Sequence, residues 1–284
     1  MSNDIAAVLK AASIQLSAQQ IETPLLDAQL LLAKVLNKPS SYLYAWSEKR
    51  LSAEQLSLFK VYLKRRLNQE PLAYILGRKS FWDFDLMVTP AVLIPRPETE
   101  LIIEILLNKF DSKTTLNLID LGTGSGAIAA AIAFEYPLWR ILATDYSAPS
   151  LAIAKQNFKQ LSLNNIQTKQ ADWLQNFATF NFYAPDIIVS NPPYIQPADP
   201  HLKQDGLNFE PQQALVSAKN GLNDIEKISH QAEKILKPQG WLFLEHGYQQ
   251  AEAVRQILSK NHFNNIQTWQ DLAGLDRVTG AILR

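Results

Sequence analysis

The 284-residue chain predicts an α/β protein: a mostly parallel sheet wrapped by helices and preceded by a small all-helical domain. Three observations point there. The first seventy-odd residues carry apolar positions at helical spacing only. Short apolar runs then alternate with amphipathic segments beyond residue 116, and a glycine-rich turn directly follows the first of those runs. Composition agrees, since hydrophobic residues make up 47% and charged ones 19%, enough for a sizeable core and too little charge for disorder.

Within the helical region, residues 5–16, 25–36 and 56–67 repeat apolar side chains at helical intervals and predict a three-helix bundle. Thr23-Pro24 reads as an N-cap followed by proline at the first helical position, and Ser52-Ala53-Glu54-Gln55 has capping-box spacing. The basic cluster Lys64-Arg65-Arg66 reads as a solvated helix face. After Gly77, the run Phe81-Trp82-Asp83-Phe84-Asp85-Leu86-Met87-Val88 suggests one arm of a hairpin, with residues 91–94 as the other. Pro90, Pro95 and Pro97 withhold regular structure until a helix begins near Glu98. The expected domains are therefore 1–77 (helical), 78–97 (hairpin linker) and 98–284.

Residues 116–121, 140–144, 166–170, 186–190 and 241–245 read as strands, with helices over 127–134 and 148–161 between the first of them. In such an alternation a ligand is expected at the carboxyl ends of the strands. The longest irregular stretch, 192–213, is rich in Pro, Gln and Asp, and a loop of that length in a compact domain usually serves function.

Several classes fall away. Lys+Arg and Asp+Glu both number 27, so the chain is formally neutral, which disfavours a dedicated binder of nucleic-acid backbone. With no cysteine there is no disulfide framework, thiolate zinc site or cysteine nucleophile, and a reducing compartment fits. His201, His230, His246 and His262 lack metal-ligand spacing, so no metal is expected; His246, beside Glu245 at a strand end, is the one nearest the ligand. Met1-Ser2-Asn3-Asp4 has no basic leader and no 18-residue apolar run follows, so the expectation is a cytoplasmic protein with no membrane attachment. Nothing demands more than a monomer.

Asp120-Leu121-Gly122-Thr123-Gly124-Ser125-Gly126 leaves the first strand and opens a helix, offering close backbone approach and unpaired N–H donors to a nucleotide-like ligand. Asp145 ends the second strand, where a carboxylate can accept both hydroxyls of a ribose. The glycines alone do not choose between NAD and S-adenosylmethionine. Asp120 favours the latter, which brings an ammonium and a sulfonium and no phosphate. The buried run Ile187-Ile188-Val189 stops at Ser190-Asn191-Pro192-Pro193-Tyr194, where two prolines fix the backbone. There the Asn191 side-chain oxygen and the Pro192 carbonyl can each accept one hydrogen of a planar NH₂, aiming its nitrogen at a methyl donor while Tyr194 stacks on the group. The owner of that NH₂ stays open on residue chemistry alone.

With these motifs the chain resembles the PrmC/HemK family, the protein-glutamine methyltransferases of peptide chain release factors. The resemblance spans nearly the whole chain. It runs through Glu70-Pro71-Leu72-Ala73-Tyr74-Ile75-Leu76-Gly77, Pro95-Arg96-Pro97-Glu98-Thr99-Glu100, the turns at 120–126 and 191–194, Glu210-Pro211, Leu244-Glu245-His246-Gly247 and Asp271-Leu272-Ala273-Gly274-Leu275-Asp276-Arg277. It implies a five-helix N-terminal domain that grips the release factor, a hairpin linker and a seven-stranded, Rossmann-like class I methyltransferase domain. The implied reaction methylates the side-chain nitrogen of the glutamine in a Gly-Gly-Gln motif, leaving S-adenosylhomocysteine. By position, Asp120, Gly122, Thr123, Gly124, Ser125, Gly126, Asp145, Trp173 and Asn191 look like cofactor contacts, with Trp173 against the adenine, and Asn191, Pro192, Pro193 and Tyr194 like the glutamine site. Glu98, Glu100 and Arg96 are divided between starting a helix and facing substrate. Ala171 in place of glycine and Lys219-Asn220-Gly221 in place of Asp-Gly depart from the pattern.

Four rivals remain at this point: a glutamine methyltransferase of a ribosomal protein, an amino-methyltransferase of a nucleic-acid base, an NAD-dependent oxidoreductase and a methyltransferase-like binding module. Pro95 to Glu100 argues against the first. The second predicts a basic channel, the third leaves residues 191–194 without a job, and the intact turn argues against the fourth.

Overall fold

The computed structural model describes residues 3–203 and 206–284, which form two compact units, Met1–Arg78 with His201–Phe209, and Lys79–Pro200 with Glu210–Arg284. The parts of the sequence readings that fall on Met1, Ser2, Gln204 and Asp205 lie outside the described residues.

Among its described residues the first unit holds five α-helices, two more than apolar periodicity predicts: α1 (Ile5–Ala18), α2 (Pro24–Leu36), α3 (Ser40–Ala45), α4 (Ala53–Leu67) and α5 (Leu72–Leu76). The added pair are the one- to two-turn helices α3 and α5, too short to show a repeat. Ile5, Leu16, Leu31, Leu32 and Phe59 anchor its core. The capping box at Ser52 and Gln55 forms as expected. Thr23 stands at the N-cap with Pro24 in the first turn as expected, but its side chain accepts no backbone N–H; its hydroxyl donates instead to Asp27 Oδ1 at 2.7 Å. The basic cluster is a solvated face only in part: Lys64 is exposed, whereas Arg65 and Arg66 are engaged in ion pairs. Arg66 Nε pairs with the buried Asp27 at 2.7 Å, and Arg65 binds Glu70 through two nitrogens, because a carboxylate buried on α2 needs a partner from a packed helix.

The hairpin pairs β1 (Arg78–Phe81) with β2 (Phe84–Met87). The predicted strand over 81–88 is therefore cut by a turn at Trp82, whose φ is 52°, and residues 91–94 are not its partner. Glu100 Oε1 accepts the Trp82 N–H at 2.8 Å and holds that turn. A short 3-10 turn, Pro97–Thr99, leads into α6 (Glu100–Lys109).

There follow β3 (Asn117–Leu121), α7 (Ala127–Glu135), β4 (Arg140–Asp145), α8 (Ala148–Gln160), β5 (Ile166–Gln170) and β6 (Ile187–Ser190). Next come the one-turn elements α9 (Gln212–Leu215) and α10 (Ala218–Gly221), then α11 (Asn223–Ala232), β7 (Trp241–Glu245), α12 (Ala251–Lys260), β8 (Phe263–Gln270) and β9 (Asp276–Leu283). The sheet order is β5-β4-β3-β6-β7-β9-β8, parallel from β5 to β7, with β9 antiparallel to its neighbours. The β8–β9 register breaks between Asn264 and Gln267, around Asn265 at φ 47°. The five predicted strands are present; β8 escapes a period-2 reading because its apolar residues Phe263, Ile266 and Trp269 fall at every third position around the bulge, and β9 because its apolar residues bunch at Ala281-Ile282-Leu283.

Both faces of the inner parallel strands β4, β3, β6 and β7 are buried, so alternate residues feed different cores. Leu118, Ile141, Ala143, Ile187 and Val189 pack with α6 and α7, whereas Ile119, Leu121, Leu142 and Ile188 pack with Ile225, Ile228 and Val254. The order changes direction at β3, with β4 on one side and β6 on the other, and the crevice at their carboxyl ends is the ligand position of this topology. Asn157, 1% exposed on α8, fastens that end to the hairpin: Met87 N–H donates to its Oδ1 at 2.8 Å, and its Nδ2 donates to Met87 O and Ser125 O.

Asn157→Leu leaves these buried backbone groups without partners, at a cost of about 3 kcal/mol. Thermal unfolding should show Tm lower by roughly 5–10 °C; an unchanged Tm would remove Asn157 from this fastening role.

Candidate active site

A cavity of about 430 Å³ opens at the carboxyl ends of β3, β4 and β6, lined among others by Gly122, Gly124, Asp145, Trp173, Asn191 and Pro193. The glycine turn owes its shape to left-handed residues: Gly122, Gly124 and Gly126 have φ of 69°, 57° and 86°. At Gly126 a Cβ would also sit 2.5 Å from the Phe158 ring, so only glycine lets the turn close onto α8. Thr123 N–H donates to Thr144 O, and Ser125 is buried beside the Asn157 amide.

Asp145 holds this turn. Its Oδ2 accepts the Gly124 N–H at 2.9 Å and its Oδ1 the Ser147 N–H at 2.8 Å, which leaves each oxygen a second lone pair. Burial raises its pKa.

Asp120 is fully buried and does not line the cavity. It shares the parity of Leu118, so it faces α7, where Oδ2 accepts from the Thr123 hydroxyl at 2.6 Å and from the Ala129 N–H at 3.2 Å. It thus caps the first turn of α7, a job not read from the sequence. Its Oδ1 has no partner among the described residues, and desolvation, against the Thr123 and Ala129 hydrogen bonds, pushes its pKa up to about 7.

Trp173, itself at φ 52°, lays its ring against Gly122, where a Cβ would stand 3.2 Å away, and donates Nε1–H to Asp224 Oδ1 at 3.3 Å. Asp172, Asp224 and Lys227 complete the ionisable lining with Asp145. Three carboxylates against one ammonium suit a ligand bearing positive charge and oppose a pyrophosphate.

On the opposite wall, Ser190 donates its hydroxyl to Leu121 O at 2.8 Å, tying β6 to β3 where both end. Asn191 Nδ2 donates to Thr99 Oγ1 at 3.0 Å, which turns Oδ1 away from Thr99. Pro192 is buried and Pro193 half-buried. The Tyr194 hydroxyl points to Glu245 Oε1 at 3.5 Å; burial first, and Glu245 second, raise its pKa, so it is a neutral phenol. Its carbonyl accepts from Gln250 Nε2, and Gly221, at φ 84°, lies so close that a Cβ there would reach within 2.0 Å of that oxygen. The three consecutive residues Lys219, Asn220 and Gly221 are all left-handed, which is how this chain builds the loop where it departs from Asp-Gly.

The Pro-Arg-Pro-Glu-Thr-Glu block is mainly scaffold. Glu210, 5% exposed, accepts the Ile94 N–H at 2.9 Å and pairs with Arg96 Nη2 at 2.5 Å, so Arg96 and Glu210 clamp the segment that delivers Thr99. Glu98 is exposed and Glu100 serves the hairpin turn. His246 is fully buried between Thr279 Oγ1 at 2.7 Å and Gly247 O at 2.9 Å, with its pKa lowered by desolvation, and links β7 to β9. Glu245 is 1% exposed at the end of β7; burial pushes its pKa up to about 7 against the hydrogen bonding of Thr99 and the charge of Arg277. Thr99, Glu210, Glu245, Gln250 and Asn157 were not assigned from sequence as site groups. For Thr99, Glu210 and Glu245 the only sign was membership of a family block.

Raised carboxyl values give a signed pH effect. Asp120 and Glu245 keep their protons in the folded chain up to about 7, whereas unfolded they ionise near 4. Stability should therefore fall as pH rises from about 4 to 7, each group adding up to about 1.4 kcal/mol per pH unit, and level off above. Glu245→Gln should flatten the slope in denaturant titrations; an unaltered slope would show Glu245 ionised throughout.

Comparison with known proteins follows the division of the chain. The family model described as PrmC N-terminal domain matches residues 7–77, and the methyltransferase small domain matches residues 99–205. The chain is 43% identical over 279 residues to a release factor glutamine methyltransferase of Aliivibrio fischeri, covering 98% of this chain and 97% of that one. The corresponding proteins of Vibrio cholerae and Escherichia coli are 46% and 40% identical, over 98% and 95% of this chain and 96% of each relative. Among solved structures, the hMettl16 catalytic domain superposes with a TM-score of 0.57 at 17% identity, over 78% of this chain and 81% of that one. RsmC of T. thermophilus, a 16S rRNA methyltransferase solved with AdoMet and guanosine, gives 0.53 at 18%, over 73% and 50%. The fold is that of class I S-adenosylmethionine-dependent methyltransferases. Among the described residues no helix is long and apolar enough to cross a membrane.

Proposed function

The chain belongs to the release factor glutamine methyltransferase family, and on that premise we propose that it methylates the side-chain amide nitrogen of the Gly-Gly-Gln glutamine in peptide chain release factors. The observation that carries the reading is the commitment of Asn191 Nδ2 to Thr99, which leaves Oδ1 as an acceptor beside an acidic cavity.

S-adenosylmethionine, when bound, supplies a methyl group made electrophilic by the sulfonium. The cavity fits it in three respects: the glycine turn lets a ligand reach the backbone, the lining is acidic, and an orphaned Asp120 oxygen lies beneath. In this reading the backbone of Gly122 to Gly126 faces the methionine part, with Thr123 and Ser125 shaping the turn. Asp145 accepts the ribose hydroxyls, Trp173 covers the adenine, and Asp120 acts from below by holding the turn.

Positioning does the rest. An amide nitrogen is a weak nucleophile because its lone pair is delocalised into the carbonyl. Asn191 Oδ1 and the Pro192 carbonyl take one N–H each, twisting and aiming the nitrogen along the line of the departing sulfur. Pro193 keeps the turn rigid and Tyr194 offers its ring to the flat amide, its hydroxyl being turned inward. As the C–N bond forms the nitrogen becomes acidic and releases one proton to water, giving a neutral secondary amide and S-adenosylhomocysteine. No step calls for a metal. A cytoplasmic monomer meeting a soluble protein substrate completes the reading.

Methyl-labelled S-adenosylmethionine should label a release factor and fail to label the variant with alanine at the Gly-Gly-Gln glutamine. Label on that variant, on a ribosomal protein or on nucleic acid would overturn the substrate. Asn191→Ala should lower kcat about a hundredfold or more, while the cofactor Kd by calorimetry changes by less than about threefold. Wild-type kcat would show that Asn191 does not hold the amide.

A further inference from the structure

We propose that Thr99 and Glu245 are positioning residues that fix which end of the Asn191 amide faces the substrate. The inference rests on the proposed methylation of an amide NH₂. An asparagine side chain fits its space almost equally well in either flip, and only hydrogen-bond partners decide between oxygen and NH₂. A substrate NH₂ needs the oxygen; the flipped amide would present a donor to a donor.

Thr99 decides the flip. Its buried hydroxyl has one proton and two lone pairs, and it lies 3.0 Å from Asn191 Nδ2. Were its proton aimed at Asn191, the amide would turn its oxygen inward and lose it to the site. Glu245 prevents this. The carboxylate adjoins Thr99, and when ionised it can only accept, so it draws the Thr99 proton and leaves lone pairs for the amide NH₂. Glu245 has capacity to do so, because Oε2 has no hydrogen-bond partner among the described residues and Oε1 has only the 3.5 Å contact from Tyr194. The groups acting on this carboxyl are Thr99, Tyr194, Arg277 and Glu98. Arg277 is itself paired with Asp271 at 3.1 Å, and Arg96, which acts on Tyr194, is paired with Glu210.

Protonation of Glu245 weakens the pull on the Thr99 proton and gives the carboxyl an O–H that can donate to Thr99 Oγ1 instead. Turnover should therefore rise with pH as Glu245 ionises, a change centred near its raised value of about 7.

The test compares wild type, Thr99→Val, Thr99→Ser and Glu245→Gln in steady-state methylation of a release factor. The side-chain amide of Asn191 is followed by NMR hydrogen exchange in the same proteins without substrate. Thr99→Val should lower kcat tenfold or more with the cofactor Kd within about threefold, and Thr99→Ser should restore it. Glu245→Gln should lose the acid limb of the kcat profile. Protection of the Asn191 NH₂ should fall in Thr99→Val and return in Thr99→Ser. Wild-type kcat and protection in Thr99→Val, or an acid limb kept by Glu245→Gln, would overturn the proposal. Should wild type itself fail to methylate a release factor, the functional reading falls, while the exchange data still decide whether Thr99 orients the amide.

Discussion

Leu121 lies opposite Ser190 in the parallel pair β3 and β6, and the whole site depends on that register. Neighbouring strands run about 5 Å apart, so two strands stopping at one level release their turns side by side. One is the glycine turn, the other the Asn-Pro-Pro-Tyr turn. The Ser190 hydroxyl on Leu121 O fastens the two ends together. A slip of one residue would move Asp120 to the other face of the sheet, away from α7, and carry Asn191 out of reach of Thr99. Hydrophobic burial on both faces forbids it, since Ile187, Ile188 and Val189 feed separate cores in alternation.

Carboxyl groups gather at this end of the sheet. Asp120, Asp145 and Glu245 lie in the last two positions of β3, β4 and β7. Asp120 and Glu245 are buried and Asp145 is half-buried, and each has its pKa raised by desolvation, so the fold gives up stability at neutral pH to keep them there. Donors offset part of the cost: two backbone N–H groups at Asp145, a hydroxyl and an N–H at Asp120, and the Tyr194 hydroxyl at Glu245. Such an arrangement is reasonable where a cation binds and where a polar side chain must be oriented, and the two tasks fall on different carboxylates.

The sequence was readable where chemistry is local. Buried strands such as Ile187 to Val189 show as apolar runs, and Asn191 stood out because two prolines follow it. The hairpin was misread because its turn uses Trp82, a left-handed residue that no turn rule based on glycine or asparagine would choose. Arg66 looked solvated because its partner Asp27 depends on how α4 packs on α2, and Arg65 because its partner Glu70 lies past the end of α4, off the helical repeat. Thr99 was hidden for a similar reason. Its partner is 92 positions away, and only the Arg96–Glu210 clamp, spanning 114 positions, brings the segment there. The direction of the Asp120 side chain followed from strand parity once β3 was in place.

The irregular last strands also bear on how copies of this chain meet one another. An open sheet presents unpaired N–H and C=O groups along its outer strands, and flat apolar ones recruit further strands. Here one outer strand is Ile166-Gln167-Thr168-Lys169-Gln170, short and polar with a lysine on it. The other, β8, is interrupted in register, with Asn265 in a left-handed conformation and Asn and Gln along its length. A kinked edge and a charged edge are poor templates for edge-to-edge growth. The bulge that hid β8 from periodicity thus protects a seven-stranded sheet from aggregation.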